Sequence, residues 1–324
     1  MSRAGLVVDA ALEATVAGSF SRAGIAIRSR LLAEFTTDDD RPSLAGRLVV
    51  VTGATSGLGQ ATAAELARQG GKLHFLARDQ RRAARTRRQI IAETGNNSVS
   101  YGIADIADLE SVIEFAHGFA ARHDRLDVLI HNAGAMYDRY QVNGTGTELT
   151  FAAQVAGPFA LTTLLLPQLR AAAPSRVIVV SSGGMYGQPL ARSVTPMSPE
   201  NFRGVTAYAR AKRAQVALSA EWARRIPATD IAFHAMHPGW ADTPGLAASL
   251  PTFRRMLGPA LRTPAQGADT TVWLATARPE LLGTGRLWHD RRPRREHLIG
   301  HPGSHHSALA AALWDQLAAL THPT

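Results

Sequence analysis

The chain has 324 residues, of which 45% are hydrophobic and 19% are charged, and it contains no cysteine. That composition excludes a disordered chain, a disulfide-stapled mini-protein and a thiolate metal site. No apolar run approaches the ~20 residues of a membrane-spanning helix, and Asp9 and Glu13 interrupt the start of the chain. The sequence therefore predicts neither a transmembrane segment nor a secretory signal.

The charge balance is basic, with 35 basic residues against 26 acidic ones and a formal net charge of +9. Only Lys72 and Lys212 among the basic residues are lysine, so the arginine excess reflects overall composition. No zinc-finger spacing, basic-zipper heptad or aromatic RNA-binding signature accompanies it. We therefore interpret the basic residues as a solvated surface and expect no nucleic-acid partner.

Residues 1–43 precede the first predicted strand and are predicted to form a helical extension that ends in a linker at 38–42. Packing of its apolar stripe against the main body or a second subunit is one interpretation. The other is peripheral contact with a membrane surface, to which Arg22, Arg28 and Arg30 would contribute. The stripe has the spacing of one helical face and consists of Leu12, Val16, Phe20, Ala23, Ile27, Leu31 and Phe35.

The stretch from 44 to 291 alternates short β-branched or apolar runs with longer helical patterns. This alternation predicts one Rossmann-type domain, a doubly wound α/β fold whose parallel sheet carries helices on both faces. Residues 292–324 are predicted to be a C-terminal tail with a helix at 306–320. About seven strands are predicted, at 47–53, 72–77, 98–104, 126–132, 176–182, 230–237 and 285–290.

A glycine-rich turn follows the first predicted strand directly and opens a helix. Glycines allow a tight turn and let the backbone approach a pyrophosphate, which then lies at the positive end of the helix. The T-G-x-x-x-G-x-G spacing of this turn resembles that of the short-chain dehydrogenase/reductase family. The predicted cofactor-binding residues of the turn are Gly53, Thr55, Ser56, Gly57, Leu58 and Gly59.

The end of the second predicted strand is where the resemblance places the choice of cofactor. The acidic position of NAD-dependent members falls on Ala77, and the basic position of NADP-dependent members falls on Arg78. An arginine can pair with a 2′-phosphate, so NADP(H) is favoured over NAD(H). Asp79 leaves an alternative open, because its carboxylate could either serve the ribose of NAD or cap the following helix.

Two further segments resemble the parts of family members that contact the adenine and the central cofactor. The first residue of the N-N-A-G segment is replaced by His131, which we interpret as structural. The cofactor contacts that the resemblance implies here are Asp105, Ile106, Asn132, Ala133 and Gly134.

Two candidate catalytic residues precede the tyrosine considered next. Gln154 stands where many family members have an asparagine whose backbone anchors a water in a proton relay. Ser182 ends the fifth predicted strand, and the resemblance implies that it holds the substrate oxygen. Apolar residues then follow in the loop and beyond, and they predict either a lipophilic substrate pocket or mere packing of the loop: Met185, Tyr186, Pro189, Leu190, Met197, Trp240, Leu246 and Leu250.

Tyr208 and Lys212 lie one turn apart on a predicted helix and therefore face the same way. With five tyrosines in the chain and only two lysines, this spacing is improbable by chance. A nearby ammonium lowers the pKa of a phenol, which makes it a better proton-transfer group. The sequence therefore predicts Tyr208 as the acid/base, and Lys212 as the group that lowers its pKa and orients the ribose.

The P-G segment after the sixth predicted strand completes the resemblance, in which Pro238, Gly239 and Thr243 would approach the nicotinamide. The match is closest to the member 12 subgroup of the dehydrogenase/reductase series, whose bacterial relatives also carry an N-terminal extension. We expect a cytoplasmic NADP(H)-dependent oxidoreductase that interconverts a lipophilic alcohol and its ketone or aldehyde. No metal is expected, and the resemblance implies a homo-oligomer. The alternatives are a cofactor-binding redox sensor or scaffold with little turnover, and a membrane-surface protein.

Overall fold

An eight-stranded sheet forms the centre of the protein, which is described here from a computed structural model covering residues 3–32, 43–297 and 304–321. The spatial order is β3-β2-β1-β4-β5-β6-β7-β8; β1 to β7 are parallel, and β8 is antiparallel to β7. The strands are β1 Leu48–Thr52, β2 Lys72–Ala77, β3 Val99–Ile103, β4 Val128–His131, β5 Ser175–Val180, β6 Ile231–Met236, β7 Arg286–His289 and β8 Arg292–Arg294.

The order of the strands confirms the predicted Rossmann-type, doubly wound α/β fold, and the strand count is eight rather than about seven. The additional strand, β8, contains Arg292, Pro293 and Arg294 and so carries no apolar pattern. Proline is tolerated in a strand at the edge of a sheet, where β8 lies. This composition explains why the sequence did not predict it.

Helices cover both faces of the sheet. On one face, Val50, Leu129 and Val177 pack against the helices Leu109–Ala120, Gly157–Leu164 and Gly204–Arg225, and on the other Val51 and Ile130 pack against the helices Gly57–Arg68 and Pro264–Thr276. The helices that follow the first strand are α4 Gly57–Arg68, α5 Gln80–Thr94, α6 Leu109–Ala120, α7 Leu149–Phe151, α8 Gly157–Leu164, α9 Leu166–Ala171, α10 Gly204–Arg225, α11 Pro244–Ser249, α12 Pro251–Leu257, α13 Pro264–Thr276 and α14 Ser304–Thr321.

The residues from 149 to 171 do not form one continuous α-helix. A π-helical turn at Ala152–Ala156 joins α7 to α8, and α9 begins only after a break at Leu165. Pro158 has no N–H to donate to the carbonyl of Gln154, four residues earlier. That carbonyl instead accepts a hydrogen bond from Nε2 of Gln215 at 2.7 Å, so the irregular turn ties this helix to α10.

The N-terminal extension consists of three short helices, α1 Arg3–Glu13, α2 Val16–Phe20 and α3 Arg22–Leu31. Thr15 and Ser21 cap α2 and α3, so the chain turns between the helices and the predicted stripe does not follow one helix. Phe20 is buried, whereas Val16, Ala23, Ile27 and Leu31 are exposed. Phe35 and the predicted linker at 38–42 lie outside the described residues.

The arginine at position 28 is buried, which corrects the suggestion that it contacts a membrane. Its guanidinium pairs with Asp9 and Asp290, each at 2.7 Å, and therefore ties α1 and α3 to the end of β7. Arg22 and Arg30 remain exposed. No helix among the described residues has the length and apolar character needed to cross a bilayer.

Candidate active site

The segments that the sequence analysis singled out meet at one edge of the sheet. Thr52, His131, Val180 and Met236 are the last residues of β1, β4, β5 and β6, which are neighbours in the sheet. In an open parallel sheet, ligands bind in the crevice beyond the carboxyl ends of the strands. The order of the strands therefore places the candidate site at this edge of the sheet.

The glycine turn after β1 is held in a strained conformation that glycine tolerates. Gly53 has φ of +71° and Gly57 has φ of +55°, both in the left-handed region. A Cβ on Gly59 would overlap the carbonyl oxygen of Gly53 and the side-chain amide of Asn132. The turn therefore leaves the amino end of α4 open to an anion, which the backbone N–H groups there can bind.

The turn is fastened to β4 by hydrogen bonds. Oγ1 of Thr52 accepts from the backbone N–H groups of Asn132 and Ala133, at 3.1 and 3.0 Å. Nδ2 of Asn132 donates to the carbonyls of Thr52 and Gly53, at 3.2 and 3.1 Å. Ser56 stands at the N-cap of α4, but its side chain does not cap the helix.

Two charged side chains lie at the ends of β2 and β3, where the adenosine half of a dinucleotide would lie. Nη1 of Arg78 is 3.8 Å from Oδ2 of Asp105, and the two side chains are 64% and 44% exposed. Asp79 instead caps α5, because its Oδ1 accepts a hydrogen bond from the N–H of Arg82 at 2.6 Å. Ile106, next to Asp105, is buried. Asp79 is thus engaged at the start of α5, whereas the side chain of Arg78 is largely exposed.

The tyrosine, the lysine and the serine come together between α10 and the end of β5. Nζ of Lys212 lies 5.4 Å from the centre of the Tyr208 ring, as their spacing on α10 predicts. Ser182 is hydrogen-bonded to Tyr208, and its Oγ also accepts from the N–H of Gly184 at 3.2 Å. Lys212 donates to the carbonyl of Val180 at 2.9 Å. The structure therefore brings the three predicted residues into one cluster.

The pKa of Tyr208 is raised from its usual value, whereas the sequence predicts that Lys212 lowers it. Burial raises this pKa, and the hydrogen bond from Ser182 opposes the increase only in part. Burial also lowers the pKa of Lys212 to about 7, so near neutrality the amine is only partly charged. An amine that is partly neutral stabilises a phenolate less than a permanent cation would.

Gln154 lies close to the lysine. A Cβ on Gly134 would stand 3.1 Å from Nζ of Lys212 and 3.2 Å from Oε1 of Gln154, so the glycine backbone covers both groups. Nε2 of Gln154 donates to the carbonyl of Ala135 at 2.7 Å. Its Oε1 is buried and has no hydrogen-bond partner within the described part of the chain. This oxygen is therefore an unpaired acceptor close to the amine of Lys212.

The P-G segment after β6 approaches the glycine turn. A Cβ on Gly57 would lie 3.2 Å from Cβ of Thr243, which caps α11 by accepting from the N–H of Leu246. Gly239 has φ of +72° and follows Pro238 directly. These contacts place the predicted nicotinamide segment opposite the predicted pyrophosphate turn, as one bound dinucleotide would require.

The histidine that replaces the first asparagine of the N-N-A-G segment is a structural residue in this arrangement. Nε2 of His131 is 2.8 Å from Oγ1 of Thr162, whose hydroxyl donates to the carbonyl of Pro158. Burial lowers the pKa of His131 to about 3, so the imidazole stays neutral. It connects β4 to α8.

Five of the apolar residues that were predicted in the loop after Ser182 and in the segment after β6 divide into two groups. Met185, Leu190 and Met197 are buried in small clusters that pack the loop against α10. Tyr186 and Trp240 are half-buried and lie beside the aromatic ring of Phe20, with centroid distances of 6.4 and 6.0 Å. Packing therefore accounts for the first group, and only the second faces the end of β6.

Three residues near the site were missed by the sequence analysis. Gln215 contacts Lys212 and lies three positions after it on α10, so helical spacing was a usable signal. Phe20 and Arg262 contact the P-G segment from distant parts of the chain. No local pattern could have indicated these two contacts.

Comparisons with known proteins agree with this arrangement. The family model described as short chain dehydrogenase matches residues 47–252. Dehydrogenase/reductase SDR family member 12 of Bos taurus is 43% identical over 270 residues, which cover 82% of this chain and 83% of that protein. Retinol dehydrogenase 14 of Homo sapiens is 34% identical over 291 residues, which cover 83% and 84%.

Solved structures share the fold. An NAD(P)-dependent dehydrogenase from Beutenbergia cavernae, solved with NADP bound at low occupancy, is similar with a TM-score of 0.61. It is 27% identical, and the match covers 76% of this chain and 95% of that one.

Proposed function

Because the chain belongs to the short-chain dehydrogenase/reductase family, and so is an oxidoreductase acting on CH–OH donors, we propose that it uses NADP(H) and the cluster of Tyr208, Lys212 and Ser182. The observation that carries the proposal is this cluster's position at the carboxyl ends of the strands, beside the glycine turn. That edge of the sheet offers both an anion cradle and a proton donor to one ligand.

The chemistry divides between the cofactor and the chain. A bound nicotinamide supplies a hydride to a carbonyl carbon, or accepts one from an alcohol. Ser182 holds the substrate oxygen by a hydrogen bond, and the Tyr208 hydroxyl delivers a proton to that oxygen during reduction. Because burial raises the pKa of Tyr208, the phenol is protonated at neutral pH and ready for this direction. Lys212 orients the ribose.

The residues fit a nicotinamide dinucleotide, and the charged groups at the adenosine end favour NADP(H). The alternative of NAD(H) relied on the carboxylate of Asp79, which is used to cap α5. The guanidinium of Arg78 stands at the end of β2 and is 64% exposed, so it can pair with a 2′-phosphate. NADP in the structure from Beutenbergia cavernae is consistent with this choice.

A lipophilic alcohol or its carbonyl partner is the substrate class that the site favours. The half-buried rings of Tyr186 and Trp240 lie against the buried ring of Phe20 beyond the end of β6, and they supply apolar surface at that end of the site. The similarity to retinol dehydrogenase 14 supports a substrate of that kind. We assign the activity to the cytoplasm, as proposed from the sequence.

The test is the substitution Tyr208→Phe, with Tyr101→Phe, at a half-buried tyrosine of β3, as the matched control. Oxidation of NADPH is followed with a panel of apolar aldehydes and ketones that includes all-trans-retinal, and the reverse reaction with the alcohols. Tyr208→Phe should reduce turnover by at least about 100-fold, the lower range for general acid catalysis, while the Kd for NADPH changes by less than about 2-fold. Turnover near the wild-type value would contradict the proposal. Binding of NADPH with no reduction of any carbonyl would favour the sensor alternative.

A second candidate function, contact with a membrane surface, is favoured by the exposure of apolar side chains on α1, α2 and α3. Five large ones are exposed there, and Arg22 and Arg30 stand beside them. Such a surface can lie in the headgroup region of an anionic bilayer. The five are Leu6, Val7, Val16, Ile27 and Leu31.

Sedimentation with phosphatidylserine-containing vesicles tests this second candidate. The double substitution Val7→Ser and Ile27→Ser should abolish binding, whereas Val205→Ser, at an exposed position on α10, should not. Equal binding by both variants would exclude the N-terminal helices as the contact.

A further inference from the structure

The junction between α2 and α3 lies over the ends of the strands that form the candidate site. The ring of Phe20 is 4.6 Å from His237 and 5.4 Å from His289, measured between ring centres. His237 directly follows β6, and His289 is the last residue of β7. Phe20 itself is only 5% exposed. A residue of the N-terminal extension is therefore built into the edge of the sheet where ligands bind.

Glycines in two segments of the candidate site leave space for Phe20. A Cβ on Gly183, the neighbour of Ser182, would overlap Cε2 of the Phe20 ring. A Cβ on Gly239 would lie 2.7 Å from the carbonyl oxygen of Phe20. Both glycines therefore accommodate Phe20, one at its ring and one at its backbone.

Hydrogen bonds hold the same residue against the P-G segment. The carbonyl of Phe20 accepts from the N–H of Trp240 at 2.9 Å and from Nε of Arg262 at 3.0 Å. Nη1 of Arg262 also donates to the carbonyl of Pro238 at 3.2 Å. The segment on either side of Gly239 is therefore fixed relative to Phe20 rather than free to move.

A buried group of charges makes this attachment rigid. Arg262 and Arg28, both about 1% exposed, pair with the two oxygens of Asp290 at 2.6 and 2.7 Å. Both guanidinium groups also donate to the carbonyl of Ser19, at 2.8 and 3.1 Å. Removing one member of such a group would leave a buried charge unpaired, so the junction is held strongly.

We propose that Phe20 is a positioning residue of the active site, which holds the P-G segment in the place where it meets the nicotinamide. The inference rests on the proposed function, because it assumes a nicotinamide between that segment and Ser182. It assigns to the N-terminal extension a part in forming the site, in addition to any contact with a membrane. The ring supports Gly183, and the carbonyl supports Trp240 and Arg262.

The experiment separates the two halves of the cofactor in the full-length protein. Affinities for NADPH and for 2′,5′-ADP, which lacks the nicotinamide, are measured for Phe20→Ala and for the matched control Phe119→Ala, a buried phenylalanine of α6. Phe20→Ala should weaken NADPH binding by about 10-fold, the scale expected from a small misplacement, and 2′,5′-ADP binding by less than about 2-fold. It should also reduce the fluorescence enhancement of bound NADPH. Phe119→Ala should change neither quantity.

An unchanged ratio of the two affinities in Phe20→Ala, with unchanged NADPH fluorescence, would overturn the inference. If either alanine variant fails to fold, the pair Phe20→Leu and Phe119→Leu makes the same comparison with a smaller loss of volume. Failure of the proposed function is a separate outcome: the wild-type chain would then bind neither NADPH nor 2′,5′-ADP. That result would contradict the assignment of Arg78 and, with it, this inference.

Discussion

Lys212 donates a hydrogen bond from Nζ to Oε1 of Gln215 at 3.2 Å, one turn further along α10. Nε2 of the same glutamine donates to the carbonyl of Gln154 at 2.7 Å. Gln215 therefore joins the predicted catalytic lysine to the irregular turn before α8. The amine is therefore held by two acceptors, the amide of Gln215 and the carbonyl of Val180.

We therefore expect Gln215→Leu to lower kcat by roughly 10- to 100-fold, because a hydrogen bond to a charged group is worth about 1.5–3 kcal/mol. KM for the carbonyl substrate should change much less, since Gln215 is buried behind the lysine. The pH dependence of kcat should shift as well, because the amine loses an acceptor. Gln89→Leu, at an exposed position on α5, is the control. A wild-type pH profile in Gln215→Leu would contradict this role.

The substitution Arg78→Ala tests the cofactor choice. We expect the Kd for NADPH to increase by about 10- to 100-fold, which corresponds to the loss of one charge-assisted contact, and the Kd for NADH to stay within about 2-fold. Titration of cofactor fluorescence gives both values. Arg81→Ala, an exposed arginine in the first turn of α5, should affect neither cofactor. Equal weakening of both cofactors by Arg78→Ala would remove the preference for NADP(H).

Lys212 also makes the stability of the cofactor-free protein depend on pH. Its pKa is lowered from 10.5 to about 7 by burial, so between these values the unfolded chain holds a proton that the folded chain lacks. The free energy of unfolding should consequently rise with pH over this window, by on the order of a few kcal/mol. Lys212→Met should abolish the rise, and Lys72→Met, at an exposed position on β2, should retain it. Urea unfolding at pH 7 and pH 9 measures the difference. Parallel behaviour of the wild type and Lys212→Met would refute the explanation.

Acid should unfold the protein at a mild pH. Burial lowers the pKa of His74 to about 4, of His131 and His234 to about 3, and of His237 well below 6.5. These four rings are neutral in the folded chain, and the unfolded chain protonates them as the pH falls below 6.5. Below pH 6.5 each ring therefore lowers the free energy of unfolding by about 1.4 kcal/mol per pH unit. For all four rings together the loss is about 8 kcal/mol at pH 5.

That loss is comparable with the total stability of an ordinary domain, about 5–15 kcal/mol. We therefore expect cooperative unfolding near pH 5 when circular dichroism is followed from pH 8 to pH 4. The substitution His131→Asn, which restores the asparagine of related proteins, should make the acid transition less steep. Retention of the native spectrum at pH 4 would show that these rings are not buried as described.

The glycine turn is sensitive to a single methyl group. A Cβ on Gly59 would overlap the backbone of Gly53 and the side chain of Asn132, so Gly59→Ala should weaken NADPH binding by at least about 10-fold and lower the Tm. At Gly118, within α6, the nearest atom to an added Cβ is 3.9 Å away. Gly118→Ala should therefore stabilise the protein by about 0.4–1 kcal/mol without affecting the cofactor. The contrast distinguishes a blocked turn from a general effect of alanine.

Local patterns were sufficient for most of the fold. The buried strands β1, β4 and β5 are β-branched runs, and glycine spacing marked the turn before α4, so both could be predicted. Proximity of Tyr208 and Lys212 followed from helical spacing in the same way. The catalytic roles of these residues remain predictions.

Features that depend on distant residues could not be predicted. Asp9 interrupts an apolar pattern and Arg28 has the appearance of a surface cation, but each is buried because a partner from the end of the chain neutralises it. The π-helical turn before α8 forms where Pro158 lacks the backbone N–H that would bond the carbonyl of Gln154. The side chain of Gln215 donates to that carbonyl instead. Such pairings join residues far apart in the sequence, which local periodicity does not reveal.

The helix α14 has a consequence for self-association. Its Trp314 lies 4.2 Å from Trp222 of α10 and 4.9 Å from Phe159 of α8, measured between ring centres. The aromatic groove between these two helices, where Trp222 also stacks on Phe233 of β6 at 5.3 Å, is thus occupied intramolecularly. A second protomer would have to dock on a different surface to form the homo-oligomer that the family resemblance implies. Truncation of the chain before α14 would expose these aromatic rings, and the exposed apolar surface would favour self-association.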